Sequence, residues 1–136
     1  MTEDVRENYW ELWSLCMDVE RPLRHRYRAL RTSIERVARE RMQNVSLQAT
    51  DLAARINYLA TQFSFDEWCK NALHTFRLTS NDVMNRRKEP EVDEFLRDVR
   101  TVAEAYRVFY ATPIPKELTE ILPGKIRKSS MKRAKM

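Results

Sequence analysis

Glycine is nearly missing from this chain: Gly124 is the only one in 136 residues. Strands and their tight turns draw heavily on glycine, whereas helices do not. A β-rich fold is therefore excluded. One glycine is also too few for a GxxxxGK[ST] phosphate loop, a GxGxxG dinucleotide turn or a GxSxG nucleophile elbow. Histidine is scarce too. His25 and His74 are the only two, and neither has a second nitrogen or thiolate ligand at helical spacing, so no metal site is expected. Cys16 and Cys69 are far apart, form no CxxC pair and sit among apolar helical neighbours; both are expected as reduced core thiols. No apolar run reaches the roughly 18 residues of a membrane span. The acidic start, from Glu3-Asp4 to Glu11, is unlike a secretory signal or an arginine-rich transit peptide, and no cleavage is expected.

What the chain does have is charge arranged in blocks. Residues 1–20 hold six acids against Arg6, a balance of −5. Residues 21–45 hold eight arginines against Glu35 and Glu40, or +6, and residues 113–136 hold seven cations against Glu117 and Glu120, or +5. Blocks of this kind mark segments with different tasks. Arginine outnumbers lysine, 18 to 7 among the 25 cations. Its planar five-donor head suits phosphates and buried pairs better than an ammonium does.

Apolar periodicity predicts helices throughout. Val5, Tyr9, Leu12, Cys16 and Val19, then Leu23, Tyr27, Leu30, Ile34 and Val37, step by four and three along the first forty residues. The run reads as one long helix or two, with a joint at Pro22, which removes a backbone donor and predicts a kink at 18–22. Unbroken, the run would span about 60 Å, which predicts an arm reaching beyond the core. A helix is expected from Ser46, as N-cap, to about Gln62. Ser64 and Glu67 form a capping-box pattern for the next helix, with Phe63 and Trp68 as its staple. That helix should bury Phe65, Trp68, Ala72, Leu73 and Phe76. A short helical turn is expected from Ser80 to Arg86-Arg87-Lys88. Pro90 suits the first position of a further helix, whose Val92, Phe95, Val99, Val102, Tyr106 and Phe109 make the strongest amphipathic pattern in the chain. A last short helix runs from Lys116 to Leu122. The fold class is thus all-α: a kinked N-terminal helical arm over 1–44, a helical bundle over 45–124 and a basic tail over 125–136.

No catalytic constellation emerges. The acids at Asp66-Glu67 and at Glu91, Asp93 and Glu94 open helices and are explained by capping and the helix dipole. No catalytic residue, cofactor or metal is assigned, and an enzyme is not expected. The informative feature is an arginine stripe. On a helical wheel starting at Leu23, Arg21, Arg24, Arg28, Arg31 and Arg39 fall within an arc between about 80° and 160°. Such a row, spaced by about one turn, suits bidentate contacts that track a phosphate backbone without reading bases. The alternative is a solvated face in which Glu35 and Glu40 pair with Arg31, Arg36 and Arg39. Arg86, Arg87 and Lys88 add a second cationic element, and Lys125, Arg127, Lys128, Lys132 and Arg133 of the tail a third. Trp10, Trp13 and Met17 give the first helix a second apolar face, suited to the core or to another subunit.

The segment Tyr9-Trp10-Glu11-Leu12-Trp13, followed by Arg21-Pro22-Leu23 and the arginine-bearing helix, resembles the N-terminal arm of coat proteins of filamentous viruses of hyperthermophilic archaea, of the lipothrixvirus and rudivirus type. The resemblance covers about residues 5–40. It implies coat subunits whose helical arms wrap double-stranded DNA and hold it in a dehydrated, A-like form while the other helices build an outer bundle. Arg21, Arg24, Arg28 and Arg31 occupy the matching arm. The expected location is then the virion, and otherwise the cytoplasm. Arg26-Tyr27-Arg28-Ala29-Leu30-Arg31 also resembles in part the leucine-tyrosine-arginine motif of small mitochondrial helical adaptors, with Arg26 in place of the leading leucine. Two functions follow as expectations: a DNA-coating structural protein that contacts other subunits, or a helical adaptor that binds protein alone. A regulator that reads sequence is disfavoured, because no recognition-helix pattern is present.

Overall fold

A computed structural model describes residues 2–42 and 51–124. Within them the chain forms six helices: α1 (Glu3–Met17), α2 (Leu23–Arg41), α3 (Leu52–Gln62), α4 (Glu67–Met84), α5 (Val92–Tyr110) and α6 (Lys116–Ile121). The described residues contain no strand, and none of their helices is long and apolar enough to cross a membrane. Ser46 and the cationic tail lie outside the described residues.

α5 organises the bundle, touching α1, α2 and α4. Its periodic face is fully enclosed: Phe95, Val99, Val102 and Tyr106 have no exposed surface. Val92, although in register, is exposed because it precedes the point where neighbours close over the helix. α2 runs parallel to α5, as Tyr27 meets Asp98, Ser33 meets Tyr106 and Arg41 meets Phe109 in ascending order. α1 runs the other way, with Asn8 and Tyr9 bonded to Tyr110 and Thr112 at the C-terminal end of α5.

The predicted arm is therefore not an arm. Pro22 stands at the joint of two separate helices, the second of the two expected arrangements, and both fold into the common core, where Leu12, Tyr27, Leu30 and Val37 are completely buried. The apolar seam that suggested a long rod packs against the same protein's α5. A single hydrophobic cluster joins residues of all six helices, so residues up to 42 belong with the bundle.

Three helices end in a left-handed residue that is not glycine. Ser64, Arg86 and Ala111 adopt left-handed backbone at φ of 53°, 60° and 49°. Behind Ser64 and Arg86, paired backbone bonds (Phe65 N–H to Ala60 O and Ser64 N–H to Thr61 O; Arg87 N–H to Asp82 O and Arg86 N–H to Val83 O) close the last turns of α3 and α4. This is the Schellman arrangement usually built on glycine. Ser64 therefore terminates α3 and does not cap α4. The α4 cap is Asp66, whose carboxylate accepts from the Cys69 N–H at 2.7 Å. Phe63 and Phe65 both pack on Phe109. Leu73 and Phe76 are buried as expected, whereas Phe65, Trp68 and Ala72 are half-buried. α4 continues through Ser80 to Met84, so no new turn begins there. Pro90 stands ahead of α5, whose N-cap is Glu91.

Both cysteines are buried thiols. Desolvation raises Cys16 to about 11, against the lowering effect of the Arg26 charge.

Candidate nucleic-acid interface

The arginine stripe on α2 divides into two kinds of residue. Arg24 and Arg31 turn toward α4. The Arg24 Nε donates to the Val83 carbonyl at 2.9 Å, in the last turn of α4, and its Nη2 lies 3.7 Å from Glu89. Arg31 donates through Nη1 to Ser80 Oγ and Asn81 Oδ1, both at 2.7 Å, and to the Arg77 carbonyl at 3.3 Å. These two guanidiniums fasten α2 to α4, and Arg24 sits where a cation is favoured, over a carbonyl of the last helical turn. Burial lowers the Arg31 pKa, with Glu35 at 3.8 Å opposing that shift and Arg77 adding to it. Its Nε is buried without a hydrogen bond. Arg24 and Arg31 are therefore partly consumed by the fold.

Of the remaining stripe residues, Arg28 and Arg39 form the outer ridge of α2, while Arg21 precedes the N-cap Pro22 and is not on the helix. Arg21, Arg28 and Arg39 are exposed, with His25 and Thr32 beside them. Arg21 pairs with Asp18 at 3.1 Å, near the surface. The Arg28 and Arg39 side chains have no hydrogen bond or ion pair among the described residues. The solvated-face alternative is met only in part: Glu35 pairs with Arg31, and Arg36 reaches across to Asn8 at 2.8 Å and Glu11 at 3.5 Å on α1. Arg28 and Arg39 are separated by 11 residues, about 16 Å along a helix.

The α4–α5 corner carries Arg86, exposed in its left-handed turn, and Arg87, loosely paired with Asp82 at 3.9 Å. Lys88 is half-buried and held by Glu94 at 3.3 Å. Glu89, Glu91 and Asp93 are exposed at the same corner, so it is not a clean cationic surface. Lys125, Arg127, Lys128, Lys132 and Arg133 lie outside the described residues.

His25 is exposed, and His74 bonds to the Asn57 side chain at 2.8 Å. Burial, with Arg77 and Lys70 nearby, lowers the His74 pKa. No group of three His, Cys, Asp or Glu side chains suited to a metal occurs among the described residues.

Two features escaped the sequence reading. Arg26, a single arginine among eight, is buried beneath the α1–α2 turn. Its Nη1 donates to Leu15 O at 3.1 Å and its Nε to Arg21 O at 3.2 Å, while its guanidinium stacks on Phe95. The signal was available, because Arg26 is adjacent to Tyr27 on the inward side of the wheel. The second feature is a groove of about 460 Å³ between α1 and α6, lined by Arg6, Tyr9, Trp10, Trp13, Glu117 and Leu118. Trp10 is 58% exposed and stacks on Trp13 at 4.5 Å. Tryptophans three apart are neighbours on a helix surface, but the opposing wall comes from α6, more than a hundred residues later.

Comparison with protein-family models, with curated proteins and with solved structures finds no match to this chain.

Proposed function

We propose that this chain is a structural nucleic-acid-binding protein, a coat-like subunit that holds double-stranded DNA by its phosphates and assembles with other copies. The observation that carries the reading is the outer ridge of α2, where Arg28 and Arg39 are exposed and unpaired among the described residues, with Arg21, superficially paired, just ahead of the helix. Exposed guanidiniums with no carboxylate to neutralise them favour a polyanion, and a row along one helix follows a backbone whatever its base sequence. The resemblance of about residues 5–40 to archaeal filamentous-virus coat arms is one of sequence pattern alone, since α1 and α2 pack into the bundle. No catalytic step or cofactor is part of the proposal.

The test is DNA binding by the Arg28→Gln/Arg39→Gln double variant, measured against salt. Glutamine is a fair helix former and both sites are exposed, so the fold should persist. Affinity should fall about equally for unrelated duplexes. The slope of log K against log salt should flatten by about 1.8, at roughly 0.9 per lost phosphate contact. An unchanged slope, or no DNA binding by the parent chain, would refute the proposal.

A second reading, a helical module that binds protein, is favoured by the Trp10–Trp13 groove, since exposed stacked indoles beside a cleft are typical of protein contacts.

A further inference from the structure

The groove between α1 and α6 has one charge of each sign in its lining. Arg6 comes from α1 and Glu117 from α6, and both are exposed. Neither side chain has a hydrogen bond or ion pair among the described residues, so the two charges do not neutralise each other. The rest of the lining is mostly aromatic and apolar, from Tyr9, Trp10, Trp13 and Leu118. Trp10 projects from this face into solvent, and Met17 farther along α1 is exposed too. On a helical wheel starting at Tyr9, the residues Trp13, Arg6, Met17 and Trp10 fall between about 40° and 100°. Glu3, Glu7 and Asp4 fall between about 120° and 220° on the same wheel, so the acids of α1 flank this face and do not line it.

A face of this kind holds both halves of a contact with itself. It presents a projecting indole beside a groove, and a cation beside an anion, all without partners. A guest of one charge would leave either Arg6 or Glu117 unanswered. In a two-fold contact each copy gives what it receives, so one face supplies every complement. We infer that the α1–α6 face binds the same face of a second copy, with Trp10 of each copy in the groove of the other and Arg6 of each paired with Glu117 of the other. Tryptophan and arginine are the residues that anchor such contacts, and an arginine–carboxylate pair adds a fixed geometry. The contact is isologous and closes at the dimer. It deepens the assembly part of the function proposed above and rests on that part alone, since Arg28 and Arg39 of the α2 ridge take no part in it.

Sedimentation velocity on the full chain tests it, at about 0.15 M salt, where repulsion between two chains of net charge +5 is largely screened. The weight-average mass should rise with concentration from the 16.3 kDa monomer and level off at twice that value. Arg6→Glu puts acid against acid at both pairs, and Glu117→Arg puts cation against cation. Each variant should therefore stay monomeric, with unchanged far-ultraviolet circular dichroism because both sites are exposed. An equimolar mixture of the two should dimerise again, since every glutamate then meets an arginine. Trp10→Ala should also prevent dimerisation. Arg28→Gln/Arg39→Gln should dimerise like the parent whatever its DNA affinity, so failure of the DNA reading is seen separately. A wild type that stays monomeric at every concentration overturns the inference, and so does a mass that climbs past the dimer. Single charge variants that dimerise like the parent, or a mixture that remains monomeric, overturn it as well.

Discussion

The Tyr27 hydroxyl donates a 2.8 Å hydrogen bond to Asp98 Oδ2, and both residues are buried between α2 and α5. Asp98 is thereby kept out of water, and desolvation lifts its pKa to about 7, with Glu94 adding to the rise and Tyr27, Arg97 and Lys88 opposing it. The folded state therefore holds this proton more tightly than the unfolded chain, where the carboxyl titrates near 3.8. The contribution to stability is complete below about pH 4 and is lost as pH rises through 7. Asp98→Asn keeps an acceptor for Tyr27 and removes the charge. The variant should gain about 1–3 kcal/mol on the parent at pH 8, with the gain shrinking toward pH 5. Urea titrations at both pH values check this, and a pH-independent difference would show that Asp98 is not the titrating group.

Arg31 and Arg28 stand one turn apart on α2 but should behave oppositely. Arg31→Gln breaks three bonds to α4 and leaves Ser80 and Asn81 to find other partners. It should cost about 1–3 kcal/mol of stability. Arg28→Gln, at an exposed and unpaired site, should change stability by less than about 0.5 kcal/mol and should weaken DNA binding. Thermal denaturation and a binding titration on the same two variants separate the roles. If both lose stability alike, the division of the stripe is wrong.

How far these features were legible follows from what kind of interaction makes them. The helices and the enclosed face of α5 show in the sequence because period and burial are both local: Phe95, Val99, Val102 and Tyr106 repeat where one side of one helix is covered. The arm was misread because a wide apolar stripe looks the same whether it packs on another subunit or on its own α5. The α4 start was misread because Ser64 and Glu67 have capping-box spacing, while the bond that decides the matter is Asp66 to Cys69. The stripe itself was visible as charge on a wheel. Its division was not, since only tertiary packing brings Val83, Ser80 and Asn81 under Arg24 and Arg31.

Ala111 ends α5 in left-handed backbone at φ 49° and is exposed. An alanine there bears a steric cost that glycine does not. Ala111→Gly should raise stability by about 0.5–1 kcal/mol, the strain relief exceeding the added freedom of the unfolded chain. A rise in Tm of a few degrees would be the readout. A fall would mean that the turn is set by its bonds and not by strain.

Arg26 offers the sharpest stability test, because it is buried and, among the described residues, meets no carboxylate at hydrogen-bond range. Its Nη1 satisfies the Leu15 carbonyl near the end of α1, and its Nε satisfies Arg21 O in the turn leading to α2. The planar head lies over Phe95, its centre 5.3 Å from the ring centroid. One side chain thus caps a helix end, fixes the α1–α2 turn and covers a core aromatic. Arg26→Ala should destabilise by about 2–4 kcal/mol, since it leaves two carbonyls short of a donor and opens a void beside Phe95. Arg26→Met restores most of the volume and none of the donors, so it should recover only part of that loss. Arg26→Lys supplies one charged point in place of a fork and cannot stack in the same way. It should remain well below the parent. If lysine restored full stability, charge alone would explain Arg26, and the paired geometry at Leu15 and Arg21 would carry no energetic weight.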